Sequence, residues 1–253
     1  MNASPLSIVT GGASGIGLAC ARRLKARGDR VIVIDLQAPE DGPGYACDIS
    51  DEAAVAATAA RIEDEHGPAH VLVNSAGIIQ AKQPPEALDM ATWDRIMAVD
   101  LRGSYLASVA FGARMARRGE GAIINIASIT ALRSVPLHAY APAKAAVVAM
   151  TECLAAEWGR SGVRVNAVSP GYTLTPALQA AIDRGDRDAD ELARLSALGR
   201  MVMPEEVADA VAFLASPQAR AITGVNLPVD AGWLVASPWQ TYGGVPGARA
   251  GGG

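Results

Sequence analysis

Clustered histidines, closely spaced cysteines, basic runs and long apolar stretches are all missing from this chain, and each absence removes a class of explanation. The three cysteines, Cys20, Cys47 and Cys153, are odd in number and far apart, with no C-x-x-C and no nearby histidine pair, so they read as small core residues. The histidines, His66, His70 and His138, show no metal-ligand spacing, and His66 and His70 flank the expected end of a helix, a solvated position. No metal is expected. A net charge of −4 and a pI near 5.4, with arginines scattered among acids, argue against a surface built to neutralise nucleic-acid phosphates. No apolar window reaches the roughly 18 residues of a membrane span, and residues 1–10 lack the zones of a signal peptide. The default expectation is a cytoplasmic protein with neither nucleic-acid nor membrane partners.

What is present is core material. Half the residues are hydrophobic and 19% are charged, the composition of a soluble globular protein. A length of 253 residues suits one large domain or two small ones, and the pattern favours one. Residues 6–10 form a short β-branched run followed by glycines and then by an apolar-periodic helix at 16–26. Residues 31–34 are a continuous apolar run, suited to a parallel strand buried on both faces, and it ends in Asp35. Strand-like runs recur at 70–74, 122–127, 162–169 and 224–229, separated by alanine-rich helical stretches. The predicted fold is α/β: a single-domain, Rossmann-like, doubly wound parallel sheet with helices on both faces, over residues 1–236.

Some segments depart from that regularity. The crossover 36–47 contains Pro39, Gly42, Pro43 and Gly44, which predicts an irregular loop in place of a helix. Within a lid at about 174–200, an amphipathic segment at 177–197 is broken by the polar run from Asp183 to Asp188, predicting two short helices. Residues 237–253 are Gly/Pro-rich, and poor order is expected beyond about Tyr242 unless a partner subunit holds them.

Chemistry concentrates at strand ends. Thr10-Gly11-Gly12-Ala13-Ser14-Gly15-Ile16-Gly17 lies between the first strand and first helix, where glycines let backbone N–H groups approach a pyrophosphate at a helix N-terminus. Asp35, eighteen residues after Gly17, is placed to accept hydrogen bonds from an adenosine ribose and to repel a 2′-phosphate. Ser14 and Leu36 offer no cation for that phosphate, so NAD is favoured over NADP. Tyr140-Ala141-Pro142-Ala143-Lys144 puts a phenol and an ammonium on one face of a helix start. A free tyrosine titrates near pH ~10, and a neighbouring cation favours the phenolate.

In order along the chain, the loop at 10–17, Asp35, Asp48-Ile49, Asn74-Ser75-Ala76-Gly77, Ser128, Tyr140-x-x-x-Lys144, Pro170-Gly171 with Thr175, and Val229-Asp230-Ala231-Gly232 resemble the short-chain dehydrogenases/reductases from about residue 6 to about 235. The resemblance implies that Asp48 and Ile49 meet the adenine and that Asn74, Ala76 and Gly77 line the adenosine side. Thr173 and Thr175 would hold the nicotinamide carboxamide and pyrophosphate. Ser128 would bind the substrate oxygen, Tyr140 would act as general base or acid, and Lys144 would bind the ribose and assist the tyrosine. The implied reaction moves a hydride between nicotinamide C4 and a secondary alcohol or its ketone. Polyols, sugars and cyclic diols are the candidate substrates, with Arg133, His138, Tyr172 and Leu178 as possible pocket residues.

Three departures from the family stand out. Ser75 replaces an asparagine. Asp100, in Val99-Asp100-Leu101, stands where the family has an asparagine whose main chain orders a relay water; an aspartate can keep that relay or pair with Lys144. Ala231 replaces a glycine, which is compatible with a negative φ. Two alternatives are a 3-oxoacyl thioester reductase and a non-catalytic dinucleotide-binding regulator; a lyase or dehalogenase on this fold would dispense with the loop or the lysine. The family expectation is a homotetramer, with a dimer as the alternative, supported by the small apolar surface of the helix at about 141–158.

Overall fold

In a computed structural model that describes residues 4–39 and 42–247, the apolar runs become the strands of one parallel sheet. The described strands are β1 (Leu6–Thr10), β2 (Arg30–Asp35), β3 (Gly44–Ala46), β4 (Ala69–Asn74), β5 (Gly121–Ile126), β6 (Val163–Pro170) and β7 (Asn226–Val229), in the spatial order β3-β2-β1-β4-β5-β6-β7. Every pairing is parallel, with Val9 opposite Val33 and Val73, and Asn74 opposite Asn125.

The continuous apolar runs are explained by burial on both faces. Leu6, Ile8, Ile32, Ile34, Leu72 and Ile123 point to one side, and Val9, Val33, Val71, Val73 and Ile124 to the other. On the first side they meet α2 (Glu52–His66), α4 (Ser104–Arg118) and α5 (Tyr140–Trp158), through Val55, Ile62, Phe111, Met115 and Leu154. On the second they meet α1 (Gly15–Ala26) and α8 (Pro204–Ala215), through Cys20, Leu24, Val207 and Val211. Burying a side chain such as Phe111 stabilises the fold by about 1.5–3 kcal/mol.

The remaining helices are peripheral: α3 (Met90–Ile96) precedes α4, α6 (Pro176–Asp183) and α7 (Ala189–Arg194) follow β6, and α9 (Trp233–Ala236) follows β7. The polar run from Asp183 to Asp188 is the turn between α6 and α7, and Asp188 caps α7 by accepting from the N–H groups of Asp190 and Glu191.

Because the strands are parallel, their carboxyl ends share one edge. Gly11, Ser75, Gly171 and Asp230 follow directly after strands there, Asp35 ends one, and Ser128 comes two residues after another.

Several expectations need correction. The crossover after β2 has no helix among its described residues, but it contains a short edge strand, β3, in addition to irregular chain. Cys20 and Cys47 are buried, whereas Cys153 is exposed on α5, which is apolar around much of its circumference and so gave no clear inward face. His70 is half-buried in β4 rather than simply solvated, its Nδ1 accepting from the Leu6 N–H. Ala231 has φ +51°, not a negative value. The Asp230 carboxylate holds the turn in this shape by accepting from the N–H groups of Gly232 and Leu234, and Ala231 itself accepts from Leu198. In the tail, a 3-10 segment runs over Ser237–Tyr242 and Gly244 N–H bonds to the Trp239 carbonyl; residues 248–253 lie outside the described residues.

Candidate active site

At Gly11 and Gly17 the Gly-rich loop leaves no room for a side chain. A Cβ on Gly11, which has φ +66°, would lie 2.6 Å from the Ala76 Cα, and one on Gly17 would lie 2.1 Å from the Gly11 carbonyl oxygen. Ser14 is the N-cap of α1 yet makes no side-chain cap, and the first turn carries no acid. The N-terminal amides of α1, at the positive end of the helix dipole, are therefore not taken up by a side-chain cap. This cradle fits a dinucleotide pyrophosphate. The methyl of Thr175 lies 3.5 Å from where a Gly15 Cβ would sit, so the start of α6 adjoins the same loop. Thr175 itself caps α6 by accepting from Leu178 N–H. Thr173 is buried and donates to the Gly171 carbonyl, and a Cβ on Gly171 would collide with Asp230; Pro170 closes β6 immediately before.

Asp35 accepts from Ala13 N–H at 3.0 Å and from Leu36 N–H at 2.8 Å, so it ties the loop to the end of β2. Asp48 is engaged by Ser50 and Arg95, and hydrogen bonds from Ser50, outweighing partial burial, hold its carboxyl below the usual range. Two residues expected on the adenosine side turn elsewhere. Ile49 is buried in the core against Gly103. The Asn74 side chain enters a buried polar network, with its amide facing the Ser104 carbonyl, Ser108 Oγ and Asn125 Oδ1. Asn125 donates in turn to Thr151 on α5, so the network ties β4, β5, α4 and α5 together. Ala76 packs against the core cluster on the first side of the sheet, a Cβ on Gly77 would lie 3.2 Å from Asp100 Oδ2 and 3.4 Å from Lys144 Nζ, and Thr10 Oγ1 accepts from the N–H groups of Ser75 and Ala76.

Tyr140 opens α5, and Lys144 follows one turn later with its Nζ 5.5 Å from the phenol ring centre. Ser128 is buried just beyond β5, where its Oγ accepts from Thr130 N–H at 3.2 Å. That bond occupies an acceptor position of the hydroxyl and leaves its proton to donate elsewhere. Lys144 is 4% exposed and donates to the Ile126 carbonyl.

Asp100 does pair with Lys144. It is 0% exposed, accepts from Ile78 N–H through Oδ1 at 2.9 Å, and presents Oδ2 to the ammonium at 3.2 Å. Oδ2 has no well-aligned hydrogen bond among the described residues, so the contact is chiefly Coulombic. Burial pushes the Lys144 ammonium down, but Asp100 and Tyr140 outweigh it and leave the group above its ordinary value. Asp100 sits in a π-helical turn, Met97–Gly103, and its main-chain carbonyl accepts from Ser104 Oγ. Such wide turns often mark functional positions.

The profile of the family described as "Enoyl-(Acyl carrier protein) reductase" matches residues 11–234. D-threitol dehydrogenase of Mycolicibacterium smegmatis is 40% identical over 244 residues, covering 91% of this chain and 93% of its own. The L-tagatose-forming galactitol 2-dehydrogenase of Cereibacter sphaeroides is 41% identical, over 90% and 94% of the two chains. A solved structure titled ribose-5-phosphate isomerase, from Brucella melitensis 16M, superposes with a TM-score of 0.93 at 48% identity, covering 96% of this chain and 98% of that one.

The chain belongs to the short-chain dehydrogenase/reductase family. It is an oxidoreductase acting on secondary alcohols. An ionisable carboxylate, Asp100, contacts its Lys144 directly, at the position where the resemblance implies an asparagine.

One residue escaped the motif reading. Gln80, in the loop after β4, is 6% exposed, and its Oε1 accepts from the N–H groups of Ala139 and Tyr140. The available signal was indirect: the expected helix at Tyr140 is preceded by Ala139, which cannot cap it.

Proposed function

We propose that the chain is an NAD-dependent dehydrogenase of polyols or cyclic secondary alcohols. The observation that carries this reading is the Lys144–Asp100 pair buried behind Tyr140, at the same sheet edge as the Gly-rich cradle and Asp35. The substrate class rests on the threitol and galactitol relatives, whose names concern those proteins.

Gly11, Ser14, Gly15, Ile16 and Gly17 form the pyrophosphate cradle, and Asp35 accepts from the adenosine ribose. Asp48, the backbone of Ile49 and Asn74, and Ala76 with Gly77 line the adenine side; Pro170, Gly171, Thr173 and Thr175 line the nicotinamide side, beneath a lid of α6 and α7. A bound nicotinamide dinucleotide supplies the hydride acceptor for oxidation and the hydride donor for reduction. Tyr140 takes the substrate hydroxyl proton in oxidation and returns it in reduction. Ser128 donates to the substrate oxygen and stabilises negative charge developing there. Lys144 steadies the phenolate by its charge and, with Tyr140, holds the ribose, while Asp100 compensates the ammonium. Association into a homotetramer, or a dimer, belongs to the same proposal: Ala145, Ala149 and Cys153 are exposed at helical spacing along α5, and light scattering reads the assembly.

The test is a panel of polyols, cyclic diols, hydroxy acids and hydroxyacyl thioesters with NAD and NADP, followed by nicotinamide absorbance. Tyr140→Phe should nearly abolish turnover with NADH binding intact; full activity in that variant ends the proposal. An aldose–ketose isomerisation would convert substrate with no absorbance change and is separated by the same assay.

A further inference from the structure

We infer that Gln80 is a positioning residue for the reaction: its side-chain carbonyl serves as a remote N-cap that fixes the start of α5, and with it Tyr140. This rests on the catalytic role proposed for Tyr140.

A helix begins with N–H groups that have no partner within the helix. In α5 these can be accounted for one by one. Pro142 has no N–H, Ala141 donates to the Leu137 carbonyl at 2.9 Å, and Ala143 donates to the Ala139 carbonyl at 3.1 Å. The N–H groups of Ala139 and Tyr140 remain, and both end on Gln80 Oε1, at 2.6 and 3.1 Å. Ala139 occupies the N-cap position and contributes no side-chain cap. The work usually done by a local serine or aspartate is therefore done by a residue nearly sixty positions earlier.

The orientation of the Gln80 amide follows from its partners. Two N–H donors require the oxygen, so the nitrogen is directed away, where it has no partner among the described residues. The loop bearing Gln80 is itself anchored. At one end the N–H groups of Ser75 and Ala76 donate to Thr10, and between them and Gln80 the Ile78 N–H donates to Asp100. One short segment thus holds the carboxylate behind Lys144 and the backbone of Tyr140, fixing both relative to the ends of β1 and β4.

The experiment compares Gln80→Met, which keeps the length and removes the acceptor, with Gln80→Glu, which keeps an acceptor. Each is assayed at its own pH optimum on the alcohol that best supports wild-type turnover. A displacement of about 1 Å at a reacting group can cost about 100-fold, so Gln80→Met should lose at least about tenfold in kcat. Its KM and its dissociation constant for NAD should stay within about threefold of wild type, and Gln80→Glu should keep kcat within about tenfold. The inference is overturned by a smaller kcat loss in Gln80→Met, by a larger loss in Gln80→Glu, or by a Met variant whose NAD binding weakens beyond that limit. Should the Met variant not fold, the Glu variant decides alone. Tyr140→Phe run alongside separates the two readings: if it stays active, the role of Tyr140 fails, whereas an inactive Tyr140→Phe beside an unimpaired Gln80→Met removes only Gln80.

Discussion

Asp100→Asn tests whether the buried carboxylate is what keeps Lys144 charged. At the observed 3.2 Å the pair attracts by about 5 kcal/mol at an effective dielectric of about 20. Desolvation offsets much of that, but removing one partner of a buried pair typically costs about 3–5 kcal/mol. Asparagine is nearly isosteric, yet it has one oxygen where the wild type uses two. If that oxygen stays on Ile78 N–H, the amide NH2 meets the Lys144 ammonium, donor against donor. The expected loss is about 3 kcal/mol near pH 6, or about 1 M in urea midpoint for an m-value of about 3 kcal/mol/M.

The pH dependence gives the sharper test. In the wild type, burial lowers the Lys144 ammonium but Asp100 and Tyr140 raise it further, so its folded value lies above its unfolded one. That contribution to stability is fully present below the unfolded value and is lost as pH rises through the folded one, above about pH 10.4. In Asp100→Asn the opposing carboxylate is gone and burial dominates, so the folded value falls below the unfolded one. The unfolded chain then binds more protons than the folded chain, and stability rises with pH. A loss of about 3 kcal/mol corresponds to about two pH units, so the deficit of the variant relative to wild type should be flat from pH 6 to about 8 and shrink as pH rises toward 10. Activity should also fall on the alkaline side at lower pH than in the wild type, as Lys144 loses its charge. Urea titrations at pH 6, 8 and 10, with pH profiles of kcat, measure both. A deficit constant across that range, or an alkaline limb that stays put or moves up, refutes the reasoning.

Asp35→Ser combined with Leu36→Arg should favour NADP over NAD, because it removes the repelling carboxylate and adds a guanidinium beside the ribose; dissociation constants for both dinucleotides measure the change, and an unchanged ratio counts against the placement of the ribose. Ala231→Gly should raise stability by about 0.5–1 kcal/mol, since alanine at φ +51° carries left-handed strain that glycine does not; a thermal midpoint lower than wild type would contradict this. Among the thiols, Cys153 should react first with an aromatic disulfide reagent at pH 8 once dilution has separated the subunits, and should be protected in an assembly that pairs the α5 face. Cys20, pushed up to about 12 by burial, and the buried Cys47 should react only on unfolding, and Cys153→Ser should abolish the fast phase.

The central strands were legible in the sequence because parallel strands with both faces covered must be apolar at every position, as Val31-Ile32-Val33-Ile34 is. β3 lacks that signature: its three residues are at the sheet edge and none is fully buried, so Gly44-Tyr45-Ala46 reads as loop. Cys153 was misplaced because α5 is apolar on its outer side as well, and alternation could not show which side faces the sheet. The φ of Ala231 was not predictable from glycine's absence, since the Asp230 carboxylate sets the turn through bonds to residues beyond it.

The site divides along the same line. Groups that act at a strand's end can be read from their own neighbours in sequence: the glycines follow β1, Asp35 ends β2 and Ser128 follows β5. The groups that set their electrostatics and position come from distant parts of the chain. Asp100 reaches Lys144 from the π-helical turn before α4, and Gln80 reaches Tyr140 from the loop after β4. These two supports meet through Ile78, whose N–H holds the Asp100 carboxylate two residues before Gln80 caps the helix. A shift of this loop would therefore move the phenol and the ammonium's counter-charge together. Their relative geometry depends on a segment that touches neither Tyr140's hydroxyl nor Lys144's ammonium through a hydrogen bond, which is why spacing within the Tyr-x-x-x-Lys motif does not reveal it.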